Sequence, residues 1–106
     1  MPNVPIQIEN AIKEYLSIIS KMIPIDKAVL FGSYAKGNYN EDSDVDLAIF
    51  SSAFNNQNRI ESFRLLFLEA MNFPIDLQPQ PFTEDDLLNP EGLVKEIFRT
   101  GIELKM

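Results

Sequence analysis

The sequence contains neither cysteine nor histidine. The absence of cysteine excludes a disulfide framework and a thiolate nucleophile, and the absence of both residues excludes a zinc site of the usual kind. Histidine is also the usual general base near neutral pH. Any chemistry that this chain performs must therefore depend on carboxylate groups.

Basic side chains are scarce. The chain has 9 Lys and Arg against 16 Asp and Glu, which gives a formal net charge of −7 at pH 7. Proteins that hold the phosphate backbone of a nucleic acid use an excess of Lys and Arg. Direct binding of RNA or DNA is therefore not expected.

Long apolar runs are missing as well. No segment approaches the roughly 20 apolar residues that cross a bilayer, and Met1–Pro5 lacks the basic and apolar regions of a signal peptide. We therefore predict a cytoplasmic protein without membrane association. A length of 106 residues with 45% hydrophobic content predicts a single domain over residues 1–106.

Helical and extended patterns alternate along the chain. Apolar residues at spacings of three and four predict an amphipathic helix over 5–22, ended by Pro24. Short apolar runs predict three strands: Lys27–Phe31, Asp44–Phe50 and Phe73–Gln80. The core-facing positions of a helix before the third strand are predicted to be Ile60, Phe63, Phe67, Ala70 and Met71. A strand, a helix and a strand in this order favour parallel pairing through a right-handed crossover.

The remaining chain carries helix-start and helix-stop signals. Thr83 followed by Asp86 resembles a capping box for one helical turn. Asn89 and Pro90 are predicted as N-cap and first residue of a last helix, with Gly101 just after it and a final short strand at Ile102–Leu104. The core-facing residues of this helix are predicted to be Leu93, Val94, Ile97 and Phe98.

The chemistry is concentrated between Gly32 and Phe50. Gly32 and Ser33 end the first strand, while Asp44 and Asp46 begin the second, so antiparallel pairing brings both pairs to the same end of the sheet. Glycine allows a ligand to approach the backbone closely, and Ser33 can open a helical turn whose free N–H groups suit a phosphate. The two Asp residues point to one face with Cα atoms about 6.6 Å apart. Two carboxylates that face a phosphate site imply a divalent metal.

Each residue also has a plainer interpretation. Gly32-Ser33 alone is typical of a tight turn, Asp44 alone of a cap, and Lys36 is more readily explained as a solvated side chain than as a phosphate contact. Asp46 and Asp76 resist such readings because both stand between apolar residues of predicted strands, where an unpaired charge is costly. Asp76 is expected to face the other two acids and to complete a second metal site or act as general base.

The pattern of Gly32-Ser33, ten residues, and Asp44-Val45-Asp46 resembles the signature of the polymerase-β-like nucleotidyltransferase superfamily. It is most similar to the minimal nucleotidyltransferase (MNT) domains, whose third carboxylate strand matches the segment around Asp76. The resemblance implies an α/β (α+β) nucleotidyltransferase fold, with a short mixed sheet flanked by helices. It also implies Mg²⁺-dependent transfer of a nucleoside monophosphate from ATP or another nucleotide, with Asp44, Asp46 and Asp76 as catalytic metal ligands.

The resemblance further implies a partner. Small members of this family are commonly antitoxins that neutralise a helical HEPN ribonuclease toxin by transferring AMP to one of its tyrosines. The acidic charge suits a basic RNA-cleaving partner. Two alternatives stay open: an antitoxin that inhibits by binding alone, and transfer to a small molecule such as an aminoglycoside. In the second case the acceptor pocket would have to form across a homo-oligomer.

Overall fold

The computed structural model describes residues 4–105, in which helices alternate with the strands of one sheet. The helices are α1 (Ile6–Met22), α2 (Ser33–Lys36), α3 (Arg59–Ala70), α4 (Glu84–Leu88) and α5 (Leu93–Thr100). The strands are β1 (Lys27–Phe31), β2 (Val45–Phe50), β3 (Leu77–Phe82) and β4 (Ile102–Leu104). None of these helices is long and apolar enough to cross a membrane.

The sheet is mixed and has the strand order β3-β2-β1-β4. β1 pairs antiparallel with both β2 and β4, and β2 pairs parallel with β3 after the α3 crossover. This confirms the predicted pairing of the first two strands and the parallel pairing of the next two. The N-terminal ends of β2 and β3 therefore lie side by side, next to the C-terminal end of β1.

Apolar side chains cover both faces of the sheet. On one face α1 and α3 pack over β1 and β2, and the buried Tyr15 hydroxyl donates a hydrogen bond to the Leu66 carbonyl at 2.7 Å. On the other face Phe50 stacks between Phe82 and Phe98, with ring centroids 5.1 and 5.3 Å away. A 3-10 turn at Ser52–Phe54 buries Phe54, which holds this polar segment against the core.

The predicted core face of α3 is confirmed at Ala70, which is buried, and wrong at the other four positions. The buried residues of the helix are Ser62, Leu66 and Ala70. Ile60 and Met71 are 74% and 64% exposed, while Phe63 and Phe67 are half-buried and stack on each other. The periodicity correctly indicates an apolar stripe on α3. However, the small side chains of Ser62 and Ala70 let the helix pack closely against its neighbours, and this packing determines which side of the helix is buried.

The third strand was predicted too early along the chain. It runs from Leu77 to Phe82, so Pro79 and Pro81 lie inside it. The N–H groups of Val45, at the start of β2, and of Ser51, just after its end, donate hydrogen bonds to the carbonyls of Asp76 and Phe82. The backbone N–H and C=O groups of the even-numbered residues of β3 therefore point toward β2. Both prolines consequently turn their missing N–H toward the outer edge, the position at which a strand tolerates proline.

The start of the last helix was also predicted wrongly. α5 begins at Leu93 with Gly92 as N-cap, whereas Asn89 ends α4 and donates a side-chain hydrogen bond to Asp85 at 3.0 Å. Leu93 is 59% exposed rather than core-facing. The Thr83–Asp86 capping box is confirmed, as are the burial of Val94 and Ile97 and the final strand.

Candidate active site

Three carboxylates meet at one end of the sheet, and we call Asp44, Asp46 and Asp76 the acid cluster. Asp46 is the second residue of β2, while Asp44 directly precedes β2 and Asp76 directly precedes β3. Val45 pairs with Leu77 in register, and the Val45 N–H donates to the Asp76 carbonyl at 2.8 Å. Asp44 and Asp76 therefore occupy equivalent positions on adjacent chain segments, as the predicted parallel pairing requires.

The burial of these acids differs from the sequence expectation. Asp46 is half-buried, but Asp44 and Asp76 are exposed. Asp76 stands between apolar neighbours, yet it lies outside the strand because the segment before Leu77 is a bend. There Phe73 turns inward and packs edge-on against Tyr15 at 5.7 Å. The desolvation argument thus holds for Asp46 and was wrong for Asp76.

The three carboxyl groups of the acid cluster are close enough to shift one another's pKa values. The carboxyl groups of Asp44 and Asp76 share a hydrogen bond, which raises the pKa of Asp44 and lowers the pKa of Asp76. Burial raises the pKa of Asp46, and the charges of Asp44 and Asp76 raise it further. None of the three acids forms a salt bridge with a Lys or Arg within residues 4–105. A cation at this point would relieve the repulsion.

The donor set suits a divalent ion that arrives with a nucleotide. Mg²⁺ prefers oxygen ligands and usually takes only one or two protein carboxylates, because phosphate oxygens and waters fill its remaining positions. Within residues 4–105 no group of three or more acidic side chains is arranged to hold a metal ion by itself. The acid cluster therefore offers an incomplete set of oxygen donors, to which a nucleotide would add phosphate oxygens.

Gly32 links β1 to α2 directly beside this cluster. Its φ of 76° lies in the left-handed region, where side chains are strained. A Cβ at Gly32 would also overlap the Asp46 carboxylate, since Phe31 and Asp46 are cross-strand partners. The sequence predicted a close approach of phosphate to this glycine; the structure adds that its missing side chain makes room for Asp46.

Ser33 opens α2, as the sequence predicted. It is half-buried, and its carbonyl accepts hydrogen bonds from the N–H groups of Gly37 and Asn38 at 3.0 and 3.2 Å. Tyr34 is buried and stacks on Tyr39 with ring centroids 4.4 Å apart, which fastens the loop that runs toward Asp44. This stacked pair was not predicted, although the sequence does show two tyrosines five residues apart.

Two further side chains complete the surroundings. Lys36 is exposed, as expected of a solvated side chain. Its charge reaches Glu96 of α5 and, after the larger effect of the Arg99 hydrogen bond, helps to lower the pKa of that carboxyl. Gln78 was not singled out in the sequence; its amide nitrogen donates to Asp76 Oδ1 at 2.6 Å.

The molecule also has a groove away from these residues. It has a volume of about 660 Å³, lies between α1 and β4, and is lined by residues that include Leu16 and Ile102. No member of the acid cluster lines it. The groove is therefore separate from the candidate site.

Comparisons with known proteins identify the family of the chain. A family model described as a nucleotidyltransferase domain matches residues 12–102. Two proteins of Methanocaldococcus jannaschii, each named "putative protein adenylyltransferase", match shorter segments. One is 47% identical over 45 residues, which are 41% of this chain and 46% of that protein. The other is 46% identical over 43 residues, which are 39% of this chain and 43% of that protein. The matched segments thus cover less than half of each relative.

A solved structure shares the fold. A crystal structure described as a "putative nucleotidyltransferase" from Sulfolobus solfataricus superposes with a TM-score of 0.72, covering 92% of this chain and 79% of that one. The sequence identity is 15%, so the likeness concerns the fold alone. It confirms the prediction of a mixed sheet flanked by helices.

Proposed function

The chain belongs to the nucleotidyltransferase domain family, and on this premise we propose that it is a Mg²⁺-dependent protein adenylyltransferase that transfers AMP from ATP to a hydroxyl group of a partner protein. The observation that carries the proposal is the convergence of Asp44, Asp46 and Asp76 beside Gly32 and Ser33. The names of the two M. jannaschii relatives support a protein as acceptor.

Asp44 and Asp46 would hold the metal together with the triphosphate. When bound, the ion neutralises charge on the phosphates and on the leaving pyrophosphate. Gly32 would admit the β- or γ-phosphate close to its backbone, and the hydroxyl and N–H of Ser33 would bind it. The acceptor oxygen then bonds to the α-phosphorus, the bond to the bridging oxygen breaks, and pyrophosphate leaves.

Asp76 could serve either as a ligand of a second ion or as a general base toward the acceptor hydroxyl. The Gln78 amide donates a hydrogen bond to the Asp76 carboxylate at 2.6 Å, and such a donor favours the ionised form of the acid. A carboxylate stabilised in this form is a good metal ligand and a weak base. We therefore assign Asp76 to the second metal site, with the hydroxyl proton passing to solvent.

The partner that fits this activity is a HEPN-type ribonuclease toxin, which would make the chain its antitoxin. The net charge of −7 favours association with a basic surface. The acceptor would be a tyrosine hydroxyl near the active site of the toxin. Adding AMP there introduces bulk and negative charge where RNA must bind.

The test is transfer of label from α-labelled ATP, in the presence of Mg²⁺, to the product of the neighbouring gene. We expect Asp44→Asn and Asp46→Asn to lower the rate by at least about a hundredfold, the usual effect of removing a group that stabilises developing charge. Asp42→Asn is the matched control, because Asp42 is an exposed acid of the same loop and should leave transfer unchanged. Equal labelling by all variants would contradict the proposal.

The same experiment separates the two alternatives. Neutralisation of the toxin that survives Asp44→Asn, with the complex intact, would identify an antitoxin that acts by binding alone. Unlabelled toxin together with a mass increase on an aminoglycoside, measured by intact-mass spectrometry, would identify a small-molecule transferase.

A further inference from the structure

Gln78 is placed to control the orientation of Asp76. It is the second residue of β3, is half-buried, and donates from Nε2 to Asp76 Oδ1 at 2.6 Å. An ionised carboxylate only accepts hydrogen bonds, so the amide nitrogen must be the atom that faces it. The strand thus supplies a rigid donor to a carboxylate that itself lies outside the strand.

The register puts this donor between two of the acids. Gln78 pairs with Asp46 across β2 and β3, so its side chain emerges on the acid-bearing face. Asp76 is two residues earlier and emerges on the same face. The Gln78 side chain thus reaches a member of the acid cluster without carrying a charge of its own.

The sheet does not fix the side chain of Asp76. This residue is exposed and directly precedes β3 rather than lying in it. Its hydrogen bond from Gln78 joins it to a half-buried residue of β3, whose backbone position is set by pairing with Asp46.

An amide is well matched to this task. A Lys or Arg at position 78 would neutralise the acid cluster and compete with the cation, and an Asp or Glu would add a further negative charge. Glutamine donates a hydrogen bond without changing the charge available to the metal. Outer hydrogen bonds of this kind orient metal-binding carboxylates and affect metal affinity strongly.

We propose that Gln78 is a positioning residue that fixes the Asp76 carboxylate in the orientation needed to bind a divalent ion. The inference rests on the proposed function, because it assumes that Asp76 is a metal ligand. It adds a residue on which the chemistry depends although that residue touches neither nucleotide nor acceptor.

The test compares Gln78→Met with Gln80→Met in the full chain. Methionine keeps the length of the side chain and removes the donor. Gln80 is the matched control because it is a half-buried glutamine on the same strand and face, two residues farther from the acid cluster. Binding of Mn²⁺ is measured by electron paramagnetic resonance, and AMP transfer is measured separately as kcat and as KM for ATP.

We expect Gln78→Met to weaken Mn²⁺ binding on the order of tenfold, the lower end of the range for outer-sphere changes. Gln80→Met should bind Mn²⁺ as the wild type does. For transfer, kcat should fall by a similar factor in Gln78→Met while KM for ATP stays within about twofold, since Asp44, Asp46 and Ser33 are untouched.

The outcomes for Gln78 and for the proposed function are separable. If Gln78→Met binds Mn²⁺ more weakly than the wild type does, and the wild type transfers no AMP, the positioning role is supported and the proposed activity is overturned. Unchanged Mn²⁺ binding in Gln78→Met, an equal loss in Gln80→Met, or a wild type that binds no Mn²⁺ would each overturn the positioning role. Thermal unfolding curves of both variants confirm that the compared proteins are folded.

Discussion

At the scale of single residues, Gly32 and Asp46 depend on each other. The glycine has a left-handed φ, and a side chain on it would occupy the space of the Asp46 carboxylate. The sequence predicted Gly32 as part of a phosphate-binding turn and Asp46 as a metal ligand. The two residues are also a steric pair, because Asp46 can hold its position only while Gly32 has no side chain.

Gly32→Ala is expected to impair both stability and metal binding. The left-handed backbone costs about 1 kcal/mol when Ala replaces Gly, and the added Cβ displaces Asp46 as well. Gly37→Ala is the matched control, because Gly37 has a φ of 81° but nothing within 4 Å of the added Cβ. Urea unfolding and Mn²⁺ titration of both variants measure the two effects. Gly37→Ala should lose only stability, and a Gly32→Ala protein that binds Mn²⁺ normally would contradict the steric pairing.

Asp46 should make the metal-free fold less stable at neutral pH than at acid pH. Burial, followed by the charges of Asp44 and Asp76, raises its pKa in the folded state. A carboxyl whose pKa is raised by folding contributes stability below its unfolded pKa of about 3.9, and this is lost as pH rises through the folded pKa. Asp46→Asn mimics the protonated form and should therefore stabilise the metal-free protein at pH 7.

The gain should be no more than about 1 kcal/mol, because Asp46 is half-exposed and solvent screens its charge. Urea unfolding in EDTA at pH 7 and at about pH 4 measures it, and the difference from wild type should shrink at the lower pH. A variant that is less stable than wild type at pH 7 would show that the Asp46 carboxylate is not under repulsion.

At the scale of elements, α3 shows how an apolar stripe can mislead. Its sequence carries large apolar residues along one side, but the side that packs on the sheet and α1 is formed by Ser62, Leu66 and Ala70. The hydrogen bond from Tyr15 to the Leu66 carbonyl fixes this rotation. The remaining apolar stripe, with Ile60 and Met71, lies largely in solvent.

Truncating the two kinds of apolar residue in α3 should have very different effects. Leu66→Ala removes a fully buried side chain and is expected to cost about 2–4 kcal/mol of unfolding free energy, as cavity-forming substitutions do. Ile60→Ala changes a side chain that is 74% exposed and should cost less than about 0.5 kcal/mol. Urea unfolding at neutral pH compares them, and similar losses would contradict the observed rotation of α3.

The edge strand β3 contains two prolines, Pro79 and Pro81, although proline is normally unfavourable in a strand. Pro79 and Pro81 lie on the outer side of the ladder, and the Pro81 carbonyl accepts a hydrogen bond from Arg59 Nη1 at 2.9 Å. This edge offers few free groups to another strand. β3 can therefore pair with β2, which brings Asp76 next to Asp44, and its outer edge is poorly suited to pairing with a further strand.

At the scale of the whole molecule, the net charge of −7 should govern association with the proposed partner. Electrostatic attraction to a basic protein accelerates association and is screened by salt, whereas dissociation depends more on close contacts. We expect the association rate with the HEPN toxin to fall about tenfold or more between roughly 50 and 500 mM NaCl. Surface plasmon resonance at several salt concentrations measures this. A rate independent of salt would argue that the acidic surface has no part in recognition.

The order of residues along the chain was sufficient for the local chemistry. The strand before Gly32, the turn at Ser33, the acids at the head of β2 and the Thr83 capping box all follow from neighbouring residues and were predicted. The parallel pairing that brings Asp76 alongside also follows, because a strand, a helix and a strand have few ways to connect. The family to which the chain belongs is carried by these same local patterns.

Only the tertiary structure decided which side of α3 is buried, where β3 begins, and that Asp76 is exposed and held by Gln78. It also decided that Gly32 must lack a side chain because of Asp46. Each of these depends on contacts between residues far apart in sequence, such as Tyr15 with Leu66 or Asp46 with Gln78. A sequence pattern states which side chains could face a core or a site, but packing and strand register choose among them.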